Sequence, residues 1–291
     1  MKPVALCLLA ALLSAPTCAR ASEEQAGDEF RITLFHESET TGDNGSSSSS
    51  SGGHEYLERI LAVRADGVER VYDIPLDADD EERLINWQFP VRIFEANDGS
   101  LRILNRAELE QRRDAWLKAA ELPAKACGTW YFTWNAFQVE CDPDAIIETI
   151  RAIRIQPENL SDGASLEHPA ALKPGRLAKV EGKGADTEYS AQMPVDPDYF
   201  HRADAQSDVV VGEIMRKPVS FEQAYQKRLT ERITGTIKVV LESNSDGRVW
   251  RRVTSIETVK TEAGGEAEHT VSTETVERRE HGETAPEPAF E

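Results

Sequence analysis

The chain is short of basic residues, because 33 lysines and arginines stand against 52 aspartates and glutamates and leave a net charge of −19. A protein of this charge repels phosphate backbones and anionic lipid surfaces. We therefore expect no nucleic acid among its partners. After the first residues, no apolar run approaches the roughly 20 residues that a membrane helix needs, so we also expect no membrane insertion.

Short catalytic and metal-binding motifs are missing as well. The sequence contains no G-x-S-x-G, no H-E-x-x-H, no S-x-x-K and no phosphate-binding glycine loop. Its 6 histidines are scattered along the chain. We therefore assign no catalytic residue and no cofactor, and we favour a non-enzymatic protein. A periplasmic hydrolase whose site is assembled from distant residues stays open as an alternative.

Cysteine is scarce, with 4 residues, and two of them lie in an apolar N-terminal segment. Lys2 precedes this apolar run, and Ala19-Arg20-Ala21 supplies the small residues of a cleavage site. The arrangement is that of a secretory signal peptide, whose apolar run is too short to span a bilayer. We predict cleavage after Ala21 and a periplasmic or secreted location.

The remaining cysteines, Cys127 and Cys141, are an even pair in an oxidising compartment, which predicts a disulfide. Five aromatic residues lie between them, and a turn near Trp134 would make the stretch a hairpin. We name Trp130, Phe132 and Trp134 as a candidate binding surface. The favoured alternative is that these rings pack in the core, because buried aromatics dominate cores.

Asp-Gly pairs occur three times between apolar runs, and such pairs favour the positive φ of tight hairpins. Residues 231–279 add a meander of three predicted strands, at 231–243, 248–261 and 268–279, and a change of parity in the second strand indicates a bulge or an open edge. The sequence predicts an α+β fold of antiparallel β-meanders, for which one curved sheet or a half-barrel is one arrangement. A few covering helices and one disulfide hairpin complete it.

Helices are predicted over 77–86, from Asn105 to the residues before Pro123, over 142–155, and at 220–227. A strand is the alternative at 145–155, because its isoleucines are β-branched. Glu108 stands where a capping box with Asn105 requires it. A short helix after Pro194 is predicted to reach Arg202, followed by a strand at Val209–Ile214.

Metal ligation has only weak candidates. Asp196, Asp198 and His201 lie close in sequence and include ligand types, but helix capping by the aspartates is the simpler interpretation. We therefore assign no metal site.

The predicted organisation has five segments: a signal peptide at 1–21, an N-terminal α+β region at 22–155 with a flexible Ser/Gly loop at 40–53, a linker at 156–175, a mainly β region at 176–281, and a disordered acidic tail at 282–291. The function that fits is an exported, non-enzymatic envelope protein that binds a protein partner or an apolar ligand. A structural or assembly factor of the envelope is the alternative.

Overall fold

The computed structural model describes residues 24–132, 136–155, 159–180, 186–262 and 264–282. The predicted signal peptide at 1–21 and residues 283–291 of the predicted tail lie outside the described residues. Strands make up 44% and helices 24%, so the predicted α+β class with a dominant antiparallel sheet is confirmed.

The first part of the chain contributes β1 (Glu29–Gly42), β2 (Ser47–Arg64), β3 (Gly67–Asp73), α1 (Asp80–Ile85), β4 (Val91–Ala96), β5 (Leu101–Ile103), α2 (Arg106–Ala119), β6 (Trp130–Phe132), β7 (Ala136–Gln138) and α3 (Ile146–Ile153). The second part contributes β8 (Ser165–Leu166), β9 (Gly175–Arg176), β10 (Ala178–Val180), β11 (Thr187–Pro194), α4 (Pro197–Ile214), α5 (Phe221–Arg228), β12 (Arg232–Ser243), β13 (Val249–Thr261) and β14 (Ala267–Glu280).

Ten strands form one curved but open antiparallel sheet in the order β10-β11-β12-β13-β14-β1-β2-β3-β4-β5. Each half of the chain makes one meander. The two meanders meet where β14 pairs with β1, from Phe30 opposite Glu280 to Gly42 opposite Glu268. The first and last long strands of the chain are therefore neighbours at the centre of the sheet.

The three Asp-Gly pairs connect antiparallel neighbours, as predicted: β2 to β3, β4 to β5, and β12 to β13. Gly99 and Gly247 have φ of 80° and 81°, the left-handed conformation that glycine adopts without a steric penalty. The register between β12 and β13 shifts between Glu242 and Ser243, near the start of β13, whereas the pairing from Val253 to Ile256, where the parity changes, is regular. Local turn chemistry thus sets both meanders.

One face of the sheet carries the main core. Residues that lie opposite each other across strands point to the same face, and apolar pairs such as Ile32 with Tyr56 are buried there. Helix α3 covers this face with Ile146, Ile150 and Ile153, which follow the helical period and are fully buried. Full burial of one such side chain stabilises the fold by about 1.5–3 kcal/mol.

The Ser/Gly segment at 40–53 is not the loop that its composition predicts. Residues 40–42 belong to β1 and residues 47–53 belong to β2, and they pair with each other across a turn. Serine and glycine have little preference for strands. Backbone pairing of β1 with β14 on its other side extends the hairpin, and the Thr40 and Thr270 hydroxyls lie 2.9 Å apart across that pair.

Two local predictions are wrong for tertiary reasons. Val209–Ile214 continues α4 instead of forming a strand, because α4 packs along α5 and Asp208 pairs with Arg228. Asn105 precedes α2 without capping it: its Oδ1 accepts from the Arg92 backbone N–H at 2.9 Å. Tertiary contacts outweigh local propensity at both places.

The segment predicted as a linker packs against the sheet where it is described. Residues 159–175 include β8 and the start of β9, and Ala164 and Ala170 are buried in the main core. Residues 156–158 lie outside the described residues.

Candidate functional site: the disulfide-bonded aromatic hairpin

The Cys127–Cys141 disulfide is present, as predicted, with a Cα–Cα distance of 5.5 Å. It closes a hairpin in which β6 pairs with β7, and Tyr131 lies opposite Phe137. Below the strands, the Gly128 N–H donates to the Val139 carbonyl at 2.8 Å. The predicted turn itself, at 133–135, lies outside the described residues.

A small separate core holds the base of this hairpin. Leu117 of α2 packs there with Ala126 and Val139, and Cys141 of the disulfide packs against the same cluster. The Arg113 guanidinium of α2 also donates to the Cys141 carbonyl at 3.4 Å. The hairpin is thus fixed to α2 by packing and to itself by the disulfide.

The tip of the hairpin presents two stacked rings. The Tyr131 and Phe137 rings lie 5.8 Å apart at 19°, an offset-stacked geometry. Their exposed fractions are 37% and 46%. We call these two residues the aromatic pair. Exposed apolar side chains mark contact surfaces when they lie together in one patch, whereas single ones are ordinary on protein surfaces.

The sequence-based candidates are only partly placed. Trp130 is half-buried, Phe132 is described by its backbone pairing with Ala136, and Trp134 lies outside the described residues. Tyr131 and Phe137 occupy the alternate strand positions, whose side chains point to the other face of the hairpin, and the sequence analysis did not name them. A hairpin centred on Trp134 places Tyr131 across from Phe137, so the signal was present in the spacing of the two rings.

Helix α4 lies beside β6. The exposed large apolar residues of the α4–α5 region are Tyr199, Val211, Met215, Phe221 and Leu229. Phe221 also stacks on Tyr225, with ring centroids 5.8 Å apart. The aromatic pair therefore neighbours an element that presents apolar side chains of its own.

The weak metal candidates each have another partner. Asp196 caps α4 by accepting from the Asp198 backbone N–H at 3.0 Å. The buried His201 places Nε2 3.1 Å from the Glu231 carbonyl oxygen. Across the described ranges, no three His, Cys, Asp or Glu side chains are grouped so that they could hold a metal ion.

Asp198 is held in a charge-assisted network at the start of α4. The Tyr225 hydroxyl donates to one oxygen, and Arg202 Nε donates to the other at 2.7 Å. These hydrogen bonds, from Tyr225 first and Arg202 second, lower the pKa of Asp198. An acidic group of lowered pKa suits pairing with a cation and does not suit proton donation at neutral pH.

Away from the hairpin, an open pocket of about 270 Å³ lies at the start of β1 and the end of β3, beside residues 57–59 of β2. Its apolar lining includes Leu57, Val71, Leu76 and Pro90. Charged groups at its rim include Asp73, whose carboxylate lies 3.3 Å from Arg83. The pocket volume is slightly below the roughly 300–1,000 Å³ of typical small-molecule sites.

Within the described part of the chain, no helix is both long enough and apolar enough to cross a membrane.

No protein-family model matches the chain, and no curated protein matches it. Similar solved structures include one on lipid–protein interactions in lipovitellin, with 9% identity, 91% of this chain covered and a TM-score of 0.42. This chain spans 26% of the lipovitellin chain. A second is Ail, the attachment invasion locus protein of Yersinia pestis, with 5% identity and a TM-score of 0.15; the match covers 87% of this chain and 99% of Ail. A third is an outer membrane channel from Pseudomonas putida F1, with 7% identity and a TM-score of 0.21; the match covers 91% of this chain and 99% of the channel. With TM-scores below 0.5, these likenesses carry no functional argument.

Proposed function

We propose that the protein is an exported, non-enzymatic cell-envelope protein that binds a hydrophobic segment of a partner protein at the aromatic pair. The observation that carries this proposal is the exposure of Tyr131 and Phe137 on a hairpin closed by a disulfide. Aromatic side chains at the centre of an interface supply much of its binding energy when a partner covers them.

Bracing of the hairpin supports this function. The disulfide and the small core around Leu117 hold the rings in place before any partner arrives. Binding then loses little conformational entropy, which is the usual advantage of a preorganised surface. A hairpin serving only to fill the core would bury the two rings instead.

The charge of the chain indicates the kind of segment that fits. The 291-residue chain has a net charge of −19, which becomes −21 when Lys2 and Arg20 leave with residues 1–21, so the protein repels acidic partners and attracts basic ones. We infer a hydrophobic segment flanked by neutral or basic residues. Export follows from the sequence: residues 1–21 are removed as a signal peptide after Ala21, and the disulfide fits an oxidising compartment.

Site-specific photocrosslinking tests the proposal. A photoreactive phenylalanine analogue replaces Phe137 in the full chain, in the cells that make the protein. We expect a discrete protein-sized adduct after irradiation, because the partner covers this ring. The adduct should weaken in the Cys127→Ser/Cys141→Ser background, since the loosened hairpin no longer presents the ring.

The matched control carries the same analogue at Phe35, an aromatic residue of β1 that is 42% exposed. We expect no discrete adduct from that position. Identical adducts at both positions, or none at position 137, would show that the aromatic pair is not a partner site.

A second candidate, binding of a free apolar ligand, is favoured by the pocket of about 270 Å³ beside Leu76. The analogue placed at Leu76, which is 74% exposed, distinguishes the two candidates. A small ligand adds only its own small mass to the protein in intact mass spectrometry. A protein-sized adduct at position 137 with no mass increase at position 76 would favour the partner protein.

A further inference from the structure

A row of charged side chains crosses the buried face at one end of the sheet. Arg278 of β14, Glu58 of β2 and Arg70 of β3 lie side by side, although β1 stands between β14 and β2. Glu58 accepts from Arg70 Nη1 and from Arg278 Nε, both at 2.6 Å. The side chains of Arg70 and Arg278 are 11% and 10% exposed.

A second carboxylate bridges the same two arginines from outside the sheet. Glu24 lies in the residues that precede β1, and its Oε2 accepts from Arg70 Nη2 at 2.6 Å. Its Oε1 accepts from Arg278 Nη2 at 2.8 Å. Each oxygen therefore meets a different guanidinium group, which is how two arginines hold a carboxylate or phosphate ligand.

The segment around Glu24 follows β2 by backbone hydrogen bonds. The Gly27 N–H donates to the Ile60 carbonyl, and the Ile60 N–H donates to the Asp28 carbonyl, both at 2.9 Å. Beneath the segment, the Arg278 guanidinium lies 3.5 Å from the centroid of the Phe30 ring. Glu24 thus covers the end of the charged row.

Charge balance at this place depends on Glu24. Without it, Arg70 and Arg278 share the carboxylate of Glu58. Another acid near Arg70 is Glu95, at 3.0 Å, and Glu95 also pairs with Arg154. A buried guanidinium group that loses its anion destabilises the fold, because its desolvation is no longer compensated.

We propose that Arg70 and Arg278 form a carboxylate-binding site that the chain's own Glu24 occupies. The residues before β1 are then a clasp that ties β3 of the first meander to β14 of the second. When Glu24 is absent, the site accepts a small carboxylate from solution. This site does not depend on the proposed binding of a partner at the aromatic pair.

Chemical rescue of Glu24→Ala tests this assignment. The full chain is purified after export, and its thermal unfolding is measured in sodium chloride and in sodium formate of equal ionic strength. In chloride we expect the midpoint to fall by roughly 5 to 10 °C, as for a buried ion pair that loses one partner. In formate we expect recovery of at least half of this loss, because formate fits between the two guanidinium groups.

Two variants act as controls. Glu29→Ala removes a carboxylate five residues away that is 49% exposed and lies 3.9 Å from Arg59. Its midpoint should change little, and formate should affect it as it affects the native chain. Glu24→Gln should lose stability without recovering in formate, because the amide still fills the site.

Hydrogen exchange gives a second measurement, which also applies if Glu24→Ala does not fold. In Glu24→Gln, the amides of Gly27 and Ile60 should exchange faster than in the native chain, since the clasp opens more often. The proposal is overturned if Glu24→Ala has the same midpoint in both salts, if it loses no more stability than Glu29→Ala, or if these two amides exchange at native rates in Glu24→Gln.

Discussion

Some inward-facing strand residues are charged, and ion pairs at those single positions allow them to be buried. Glu58 lies on the same face as Tyr56 and Ile60, and all three are buried. Such a carboxylate persists in a low-dielectric interior only when cations and donors surround it. The two arginine contacts of Glu58 meet that requirement, so the charged row belongs to the folded core and is not a solvated edge.

The pKa of Glu24 leads to a pH prediction. Burial raises this pKa, but the facing cations outweigh burial, and the net pKa is lowered. Those cations are Arg70 of β3, Arg278 of β14 and Arg248, which precedes β13. Glu58 of β2 is the acid that shares the two arginines. A carboxylate of lowered pKa stabilises the fold above its unfolded pKa, about 4.3, and loses this effect as pH falls through the folded value.

We therefore expect the stability difference between the native chain and Glu24→Gln to be full near pH 7 and to shrink below about pH 4. Thermal unfolding of both proteins between about pH 7 and about pH 3 measures it. A difference that stays constant over this range would mean that the charge of Glu24 does not contribute.

At the scale of elements, the aromatic hairpin owes its order to its own covalent link. Strands β6 and β7 have three residues each and form a separate two-stranded sheet. A two-stranded hairpin of this kind is marginal in water. Closing a loop of about 15 residues with a disulfide stabilises by about 3 kcal/mol in the chain-entropy argument.

Removing this link should loosen the hairpin alone. In Cys127→Ser/Cys141→Ser, we expect the amides of Gly128 and Val139 to exchange about 100-fold faster, which corresponds to about 3 kcal/mol of local stability. Amides in the β1–β14 pair should keep their native rates and are the internal control. Equal acceleration in β1 and β14 would mean that the disulfide supports the whole fold.

At the scale of the molecule, the two predicted regions contribute adjacent meanders to one sheet. The seam between them is the β1–β14 pair, which runs along nearly the full length of both strands. Buried residues from both halves, such as Ile32 and Val276, belong to the same core. Separate unfolding of either half would expose this shared core to water.

We therefore expect a single cooperative unfolding transition. In a Trp250→Phe variant, the remaining tryptophans all lie in the first half, so fluorescence reports that half while far-UV circular dichroism reports both. Denaturation by guanidinium chloride should give coincident midpoints for the two signals. Two separated transitions would instead support two domains joined by 156–175.

Features that depend on a short stretch of chain were predictable from the sequence. The Asp246-Gly247 pair sets its turn through local backbone preference, and the alternation from Phe30 to Leu34 marks a half-buried strand. Cys127 and Cys141 could be paired because the other two cysteines, Cys7 and Cys18, lie in the predicted signal peptide. These signals were enough for the fold class, the two meanders and the disulfide hairpin.

Tertiary structure decided what the local pattern could not. Ser47 to Ser51 form a strand because β1 supplies backbone partners, and Val209 to Ile214 stay helical because α5 packs beside them. Tyr131 and Phe137 emerged as the exposed pair through the hairpin register, and Glu24 joined Arg70 and Arg278 across the folded sheet. Turn geometry and periodicity act over a few residues, whereas hydrogen-bond partners and counter-charges come from segments that only folding brings together.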